Sequence, residues 1–196
     1  DTGFVGEDVF YAHGIHFTDE ELARLADTRT GVCHCPSSNM RLGSGVARVS
    51  EMARLGVPVS IAVDGSASND SSDYLGELRT ALLLQRVRYG ADAVGAREVL
   101  RIGSRGGAEM LGFAESGELR TGWTADLAVF DVGGIAYAGA QADPLAALVF
   151  CGVSHTTAWT IVNGEIVAES GRIVGLDQEQ LAVRANEAAA RLLARM

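Results

Sequence analysis

Short apolar segments alternate with amphipathic ones from Val9 to about Leu111. The apolar segments are too short for helices and end in polar or turn-forming residues, which predicts buried strands. These strands are Val9–His13, Val32–Cys35 and Val57–Val63. The amphipathic segments predict helices from Thr18 to Gly31, from about Val46 to Leu55, over Tyr74–Tyr89 and from about Ala96 to Leu111. Strands that alternate with helices in this way predict parallel pairing in an α/β fold.

Local signals set the bounds of these helices. Thr18 and Glu21 form a T-x-x-E capping box at the start of the first one. The helix over Tyr74–Tyr89 is expected to end at Gly90 as its cap. Four apolar residues are expected on the inward face of that helix: Leu75, Leu78, Leu82 and Val87. Residues 36–45, PSSNMRLGSG, are predicted to be a loop.

The pattern changes near Glu115, and strands are predicted after it at Asp126–Phe130, Trp159–Val162 and Glu165–Ala168. Asn163-Gly164 is a strong two-residue hairpin signal between the last two strands. An amphipathic helix rich in Ala and Leu is predicted over Asp177–Arg195. We therefore expect a domain boundary near residues 115–120.

Composition narrows the classes of function. The 196 residues are 47% hydrophobic and carry a net charge of −9, which argues against nucleic acid or an anionic membrane as the main partner. All 16 basic residues are Arg, so a Schiff-base lysine, a P-loop lysine and a carbamylated lysine between two metals are excluded. Cys33, Cys35 and Cys151 are an odd set that does not form a disulfide framework, which makes the cytoplasm the default location.

Asp64, directly after the third strand, is the strongest candidate for chemistry. A carboxylate at a strand end can bind Zn²⁺ or move a proton, and the alternative is an aspartate that caps the following turn. His13, at the end of the first strand, is a candidate ligand, base or electrophile, and the alternative is a half-buried histidine with its hydrogen bonds satisfied. His16 and His155 are expected to be structural. Asn69 is expected to be a turn former.

Cys33, His34 and Cys35 lack the spacing of a structural zinc site, so core packing of a short strand is the better account of them. The chain also lacks a G-x-S-x-G nucleophile elbow and a G-x-G-x-x-G after a strand. From the residues alone, the strand ends are expected to present His13, the Ser37-Ser38-Asn39 loop and Asp64 on one rim.

Four strings in this chain resemble the amidohydrolase superfamily and occur in its order. They are YAHGIHFTDEEL, GVCHCPSSNMRLGSG, VDGSASNDSSD and GELRTGWTADLAVFD. Within the superfamily they are similar to the aminohydrolase group that contains guanine deaminases, chlorotriazine hydrolases and 8-oxoguanine deaminases, most of all to the last. The resemblance implies the last three strands of a (β/α)8 TIM-type barrel plus part of a small β-sandwich. The implied divisions are 1–117 for the barrel part, 118–175 for the sandwich part and 176–196 for a C-terminal helix.

The resemblance also implies roles for four side chains. Asp64 matches the family's metal-binding aspartate, which also shuttles a proton, and His13 matches a histidine that hydrogen-bonds the attacking water or the group under attack. Both are therefore expected to be catalytic, and His13 is also expected to bind substrate. Ser38 and Asn39 match a loop that shapes the substrate pocket, so both are expected to bind substrate. The family's H-x-H and H-x-x-E motifs, which supply further ligands and a proton-handling glutamate, do not occur here, so we expect the C-terminal portion of a longer enzyme.

The implied reaction is hydrolytic deamination by a zinc-bound water, with 8-oxoguanine converted to urate and ammonia. The metal is expected to be one Zn²⁺ per site, with Fe²⁺ left open, and the full-length protein is expected to form a homo-oligomer. Guanine or a triazine is the alternative substrate. A non-catalytic α/β module that needs a partner chain is the alternative from another class.

Overall fold

The computed structural model describes residues 2–151 and 156–195, which form two compact units of a mixed α/β protein. The first unit comprises the described residues before 125 together with those between 132 and 151. The second comprises 125–131 and the described residues from 156 onward. The expected α/β class is confirmed, and the division at residues 117 and 175 stays a prediction.

A parallel three-stranded sheet forms the centre of the first unit, in the order β1-β2-β3. Its strands are β1 (Phe10–Ala12), β2 (Gly31–His34) and β3 (Val59–Ile61). Tyr11 pairs with Val32, and Val32 pairs in turn with Val59. The three predicted strands and their parallel pairing are confirmed. Because the strands are parallel, their carboxyl ends lie along one edge of the sheet.

Helices connect these strands and extend beyond the third. They are α1 (Asp19–Asp27), α2 (Pro36–Arg41), α3 (Val49–Leu55), α4 (Tyr74–Tyr89), α5 (Ala96–Arg101) and α6 (Gly107–Met110), with a π-helical turn over Ile102–Gly106 between the last two. A further helix, α7 (Pro144–Phe150), contacts α4 and α5. The core that they enclose includes the fully buried Leu22, Val32, Met52 and Leu82.

The capping box predicted for α1 is present. The Thr18 hydroxyl accepts the Glu21 N–H, and the Glu21 carboxylate accepts the Thr18 N–H at 2.8 Å. The predicted end of this helix at Gly31 is wrong, because the helix ends at Asp27 and Gly31 begins β2. Glycine is needed there for packing, since a Cβ at position 31 would lie 2.5 Å from the Met110 side chain.

Two further predictions for this unit are wrong. The segment 36–45 is not entirely loop, because Pro36 opens α2, and proline's fixed φ suits the first turn of a helix. Val87 is 86% exposed rather than inward, although Leu78 and Leu82 are buried as predicted. The 3.6-residue period places position 85 on the inward face, where the buried Gln85 side chain accepts the Ser50 N–H at 3.0 Å.

The second unit contains an antiparallel sheet in the order β4-β5-β6-β7 and a final helix. Its elements are β4 (Leu127–Val129), β5 (Trp159–Val162), β6 (Glu165–Glu169), β7 (Arg172–Ile173) and α8 (Gln178–Leu193). The Asn163-Gly164 hairpin is confirmed, with φ of 49° and 85° at the two turn residues, as a type I′ turn requires. Asp177 caps α8 by accepting the Gln180 N–H at 2.8 Å.

Cys33, Cys35 and Cys151 are free thiols, as expected from their number and spacing. Across residues 2–151 and 156–195, none of the helices has the length and apolar character that crossing a membrane requires.

Candidate active site

The carboxyl-terminal edge of the parallel sheet brings together the four side chains singled out in the sequence. His13 directly follows β1, Ser38 and Asn39 lie in the helix after β2, and Asp64 follows β3. Polar groups gathered at this edge are the usual arrangement of an active site in α/β proteins. The parallel order of the strands is therefore what makes residues distant in sequence neighbours in space.

His13 and Asp64 both have left-handed backbone conformations, with φ of 69° and 66°. At His13, the Gly14 N–H donates to the Ala12 carbonyl at 2.9 Å, so the histidine is the central residue of a γ-turn with positive φ. That turn is rare and strained. A non-glycine residue in this region costs about 1–3 kcal/mol, and such residues concentrate at functional sites. The backbone thus marks the same two residues as the sequence motifs do.

The Asp64 carboxylate accepts several hydrogen bonds. Ser38 Oγ donates to Asp64 Oδ2 at 2.6 Å, and Ser68 Oγ donates to the same oxygen at 2.9 Å. The Ser38 hydroxyl, the Gly65 N–H and the Ser68 hydroxyl together lower the pKa of Asp64 below its ordinary value. Asp64 is therefore ionised near neutral pH, as a metal ligand or a proton acceptor must be.

The His13 ring lies between Asn39 and Asp64. Its Nδ1 is 2.7 Å from Asn39 Oδ1, and its Nε2 is 3.9 Å from Asp64 Oδ2. The side chains of His13 and Asp64 are 38% and 33% exposed, whereas Ser38 and Asn39 are buried. The two partly exposed groups are thus the ones that a small molecule could reach, and the two buried ones support them. The roles expected for all four stay predictions.

A second layer of buried polar residues was missed in the sequence. Glu77, on α4, is 1% exposed and accepts the Ser37 N–H at 3.1 Å and the Asn69 Nδ2–H at 2.7 Å. Asn69 also donates to the Val63 carbonyl at 2.9 Å, so it does more than form a turn. The sequence feature that could have identified Glu77 is its position on α4, because it lies on the same inward face of the helix as Leu78 and Ala81. This layer joins α2, the helix after β2, to the loop after β3.

His34 is the other buried polar residue near the network. It is fully buried, and its Nδ1 is 3.5 Å from Asn39 Nδ2. Burial and the nearby His13 lower the pKa of His34 to about 4, so its ring is neutral near neutral pH. Its Nε2 has no hydrogen-bond partner among the described residues.

A cleft of about 560 Å³ opens beside His13. Its lining includes Gly14, Ile15, His16 and Ser44. The exposed His16 also lines this cleft. His155, expected to be structural, lies outside the described residues.

Comparison with known proteins identifies the family of the chain. A family model for the amidohydrolase family matches residues 2–167. The chain belongs to the amidohydrolase family. It is 43% identical over 192 residues to the 8-oxoguanine deaminase of Pseudomonas aeruginosa, covering 98% of this chain and 42% of that protein.

Two zinc-containing crystal structures of other proteins are similar to this amidohydrolase chain. Atrazine chlorohydrolase from Arthrobacter aurescens, complexed with zinc, matches with a TM-score of 0.89 at 32% identity, over 94% of this chain and 41% of that one. An adenosine deaminase from Xanthomonas campestris with bound zinc matches with a TM-score of 0.93 at 28% identity, over 98% of this chain and 44% of that one. The chain thus spans less than half the length of the relatives that it matches.

Among the residues that the structure describes, the donors of this amidohydrolase chain do not complete a zinc site. Within residues 2–151 and 156–195, no three His, Cys, Asp or Glu side chains come close enough together to hold a metal ion. A protein-bound zinc takes at least three protein ligands as a rule. The ionised Asp64 has the right chemistry for one of them.

Proposed function

We propose that this chain contributes the last three barrel strands of a zinc-dependent aminohydrolase that deaminates a purine-type heterocycle. We propose 8-oxoguanine as the substrate, with urate and ammonia as the products. The observation that carries the proposal is the network in which an ionised Asp64, held by Ser38, faces His13, held by Asn39. The 43% identity to an 8-oxoguanine deaminase supports this choice of substrate.

The finer fold assignment belongs to the same proposal. β1 and β3 are the edges of the parallel sheet in the described residues, and each would pair with a further strand in a closed (β/α)8 barrel. The antiparallel sheet of the second unit is proposed to be part of a small β-sandwich. The proposed divisions are 1–117, 118–175 and 176–196. The high structural similarity to longer zinc-containing enzymes supports this arrangement.

Two residues of this chain are proposed to perform part of the proton transfers of the reaction. Asp64, ionised and one-third exposed, would accept a proton from the water that attacks the amino-bearing ring carbon. It would then return that proton to the departing amino group, which leaves as ammonia. His13, beside it, would hydrogen-bond the oxygen on which charge develops. Ser38 would hold the Asp64 carboxylate in position, and Asn39 would hold the His13 ring in position.

Asp64 is also proposed as the single zinc ligand from this chain, with the remaining ligands supplied by segments that the chain does not cover. Zinc in such a site makes a bound water more acidic.

We propose further that the complete protein forms a homo-oligomer in the cytoplasm.

The substrate proposal is tested by assaying the complete protein, loaded with zinc, for ammonia release from 8-oxoguanine and guanine and for hydrolysis of atrazine. We expect the highest kcat/KM for 8-oxoguanine. Atrazine is the second candidate because the zinc complex of atrazine chlorohydrolase matches this fold closely. A preference for guanine or atrazine would transfer the proposal to that substrate, and turnover of none would contradict it.

The same assay on the 196-residue chain alone tests the need for the remaining ligands. We expect no turnover and a tendency to associate, because the edge strand β1 exposes unpaired backbone groups. An active monomer with stoichiometric zinc would refute the proposal that ligands come from elsewhere.

A further inference from the structure

We propose that Asn39 is a positioning residue whose buried amide, held between the rings of His13 and His34, fixes His13 as the tautomer with its proton on Nδ1. The inference goes beyond a pocket-shaping role for Asn39. Its consequence for turnover rests on the proposed function, whereas the tautomer itself does not.

The contacts of the amide define the tautomer. Asn39 Oδ1 is 2.7 Å from His13 Nδ1, and a carbonyl oxygen only accepts hydrogen bonds, so His13 Nδ1 must donate. In the neutral ring, Nε2 then carries the lone pair. That nitrogen is the one 3.9 Å from Asp64 Oδ2, so it is the atom that faces the proposed reaction site.

The second ring pairs with the other end of the amide. Asn39 Nδ2 lies 3.5 Å from His34 Nδ1, which accepts only when that nitrogen is unprotonated. His34 is neutral because burial and the nearby His13 lower its pKa to about 4. A rotation of the amide by half a turn would set both histidines to the opposite tautomer. The two rings and the amide therefore behave as one unit.

The backbone holds Asn39 in place on both sides. Its N–H donates to the Cys35 carbonyl at 3.0 Å, and its carbonyl accepts the Ser44 N–H at 2.9 Å. The residue is 1% exposed, so its side chain offers no open surface to a small molecule. Burial, fixed backbone and two ring partners together favour a positioning role over direct substrate contact.

The consequence concerns which nitrogen of His13 exchanges protons. With Nδ1–H held by Asn39, Nε2 is the basic atom, and when protonated it donates toward the developing oxygen charge. In histidine-dependent catalysis, loss of the correct tautomer lowers kcat by about 10²–10⁴-fold. Removal of the Asn39 amide is therefore expected to lower kcat while changing KM little.

The direct test is long-range ¹H–¹⁵N correlation NMR on the complete protein labelled with ¹⁵N-histidine, which distinguishes the two tautomers. The spectra are recorded at about pH 9, above the ordinary histidine pKa of roughly 6.5. We expect the wild-type His13 ring in the Nδ1–H form, and a shift toward the Nε2–H form in Asn39→Leu. Asn39→Asp keeps an oxygen acceptor and should retain the Nδ1–H form. Asn186→Leu, on the exposed face of α8, is the matched control and should change nothing.

A wild-type ring with its proton on Nε2 would overturn the proposal, as would an unchanged His13 tautomer in Asn39→Leu. The wild-type spectrum decides the question even if Asn39→Leu does not fold. Kinetics of the complete protein supply the second readout, in which kcat should fall about 10²-fold or more in Asn39→Leu and recover in Asn39→Asp. If the complete protein deaminates nothing while the wild-type ring is Nδ1–H, the proposed function fails and the positioning role of Asn39 stands.

Discussion

Substitution of Glu77 by alanine should destabilise the chain strongly, although Glu77 lies outside the apolar core. Its carboxyl group accepts the Ser37 N–H at 3.1 Å in a part-buried contact and one Asn69 Nδ2–H at 2.7 Å in a buried contact. A buried donor left without an acceptor costs about 1–3 kcal/mol, so loss of the Asn69 contact predicts about that much, and loss of the part-buried Ser37 contact adds a smaller amount. Glu77→Gln keeps one acceptor oxygen and should lose about half as much.

Urea unfolding followed by circular dichroism measures this loss as a shift of the midpoint at constant slope. Glu98→Ala, an exposed glutamate on α5, is the matched control and should stay within about 0.5 kcal/mol of wild type. If Glu77→Ala unfolds at the same urea concentration as Glu98→Ala, the buried carboxyl does not join α2 to the loop after β3, and the reasoning about the second layer is wrong.

Three further predictions concern acid stability, the γ-turn and the core. Hydrogen bonding to the Arg48 guanidinium is the largest influence that lowers the pKa of Glu51 from 4.5 to about 2. The stabilisation from the ionised Glu51 is therefore present above pH 4.5 and is lost as the pH falls toward 2. The urea midpoint of Glu51→Gln should consequently fall less than that of wild type between these two pH values, and an equal fall in both proteins would contradict this. Gly14→Ala, at φ 59° next to the γ-turn, should cost at least about 1–3 kcal/mol by urea unfolding, because the added Cβ would strain the backbone and would also lie 2.4 Å from the Val32 side chain; an unchanged midpoint would contradict this. Leu82→Ala, in the core, should lower the free energy of unfolding by about 2–5 kcal/mol, and Val87→Ala, at an exposed position, by less than about 0.5 kcal/mol. Thermal unfolding checks this ranking, and equal losses in the two variants would refute it.

Elements with a strong local signal were predictable from the sequence. The capping box at Thr18 and the Asn163-Gly164 turn each depend on neighbouring residues, and both are present in the structure. The end of α1 and the helix at Pro36 were not predicted correctly. Gly31 carries a packing requirement imposed by Met110, which no local pattern reveals, and the Ser-Ser-Asn sequence after Pro36 is a poor helix former.

The positions of His13 and Asp64 in the candidate site were predictable from the sequence, whereas the contacts that support them were not. The strand ends pointed to His13 and Asp64, because parallel strands bring their carboxyl ends together. The contacts that hold these residues join positions distant in sequence, such as Ser38 with Asp64 and Asn39 with His13. The buried Glu77 cannot be told from an exposed glutamate by residue type. The positive φ at His13 and Asp64 likewise depends on the folded backbone.

The measurement that tests the central claim most directly is the turnover of Asp64→Asn in the complete, zinc-loaded protein, with Asp70→Asn as control. Asp70 is an exposed aspartate of the same loop and pairs with Arg41. We predict that Asp64→Asn lowers kcat for 8-oxoguanine by about 10²–10⁴-fold or more, whereas Asp70→Asn stays close to wild type. Near-normal turnover in Asp64→Asn would contradict the account, because the carboxylate would then take no part in the reaction.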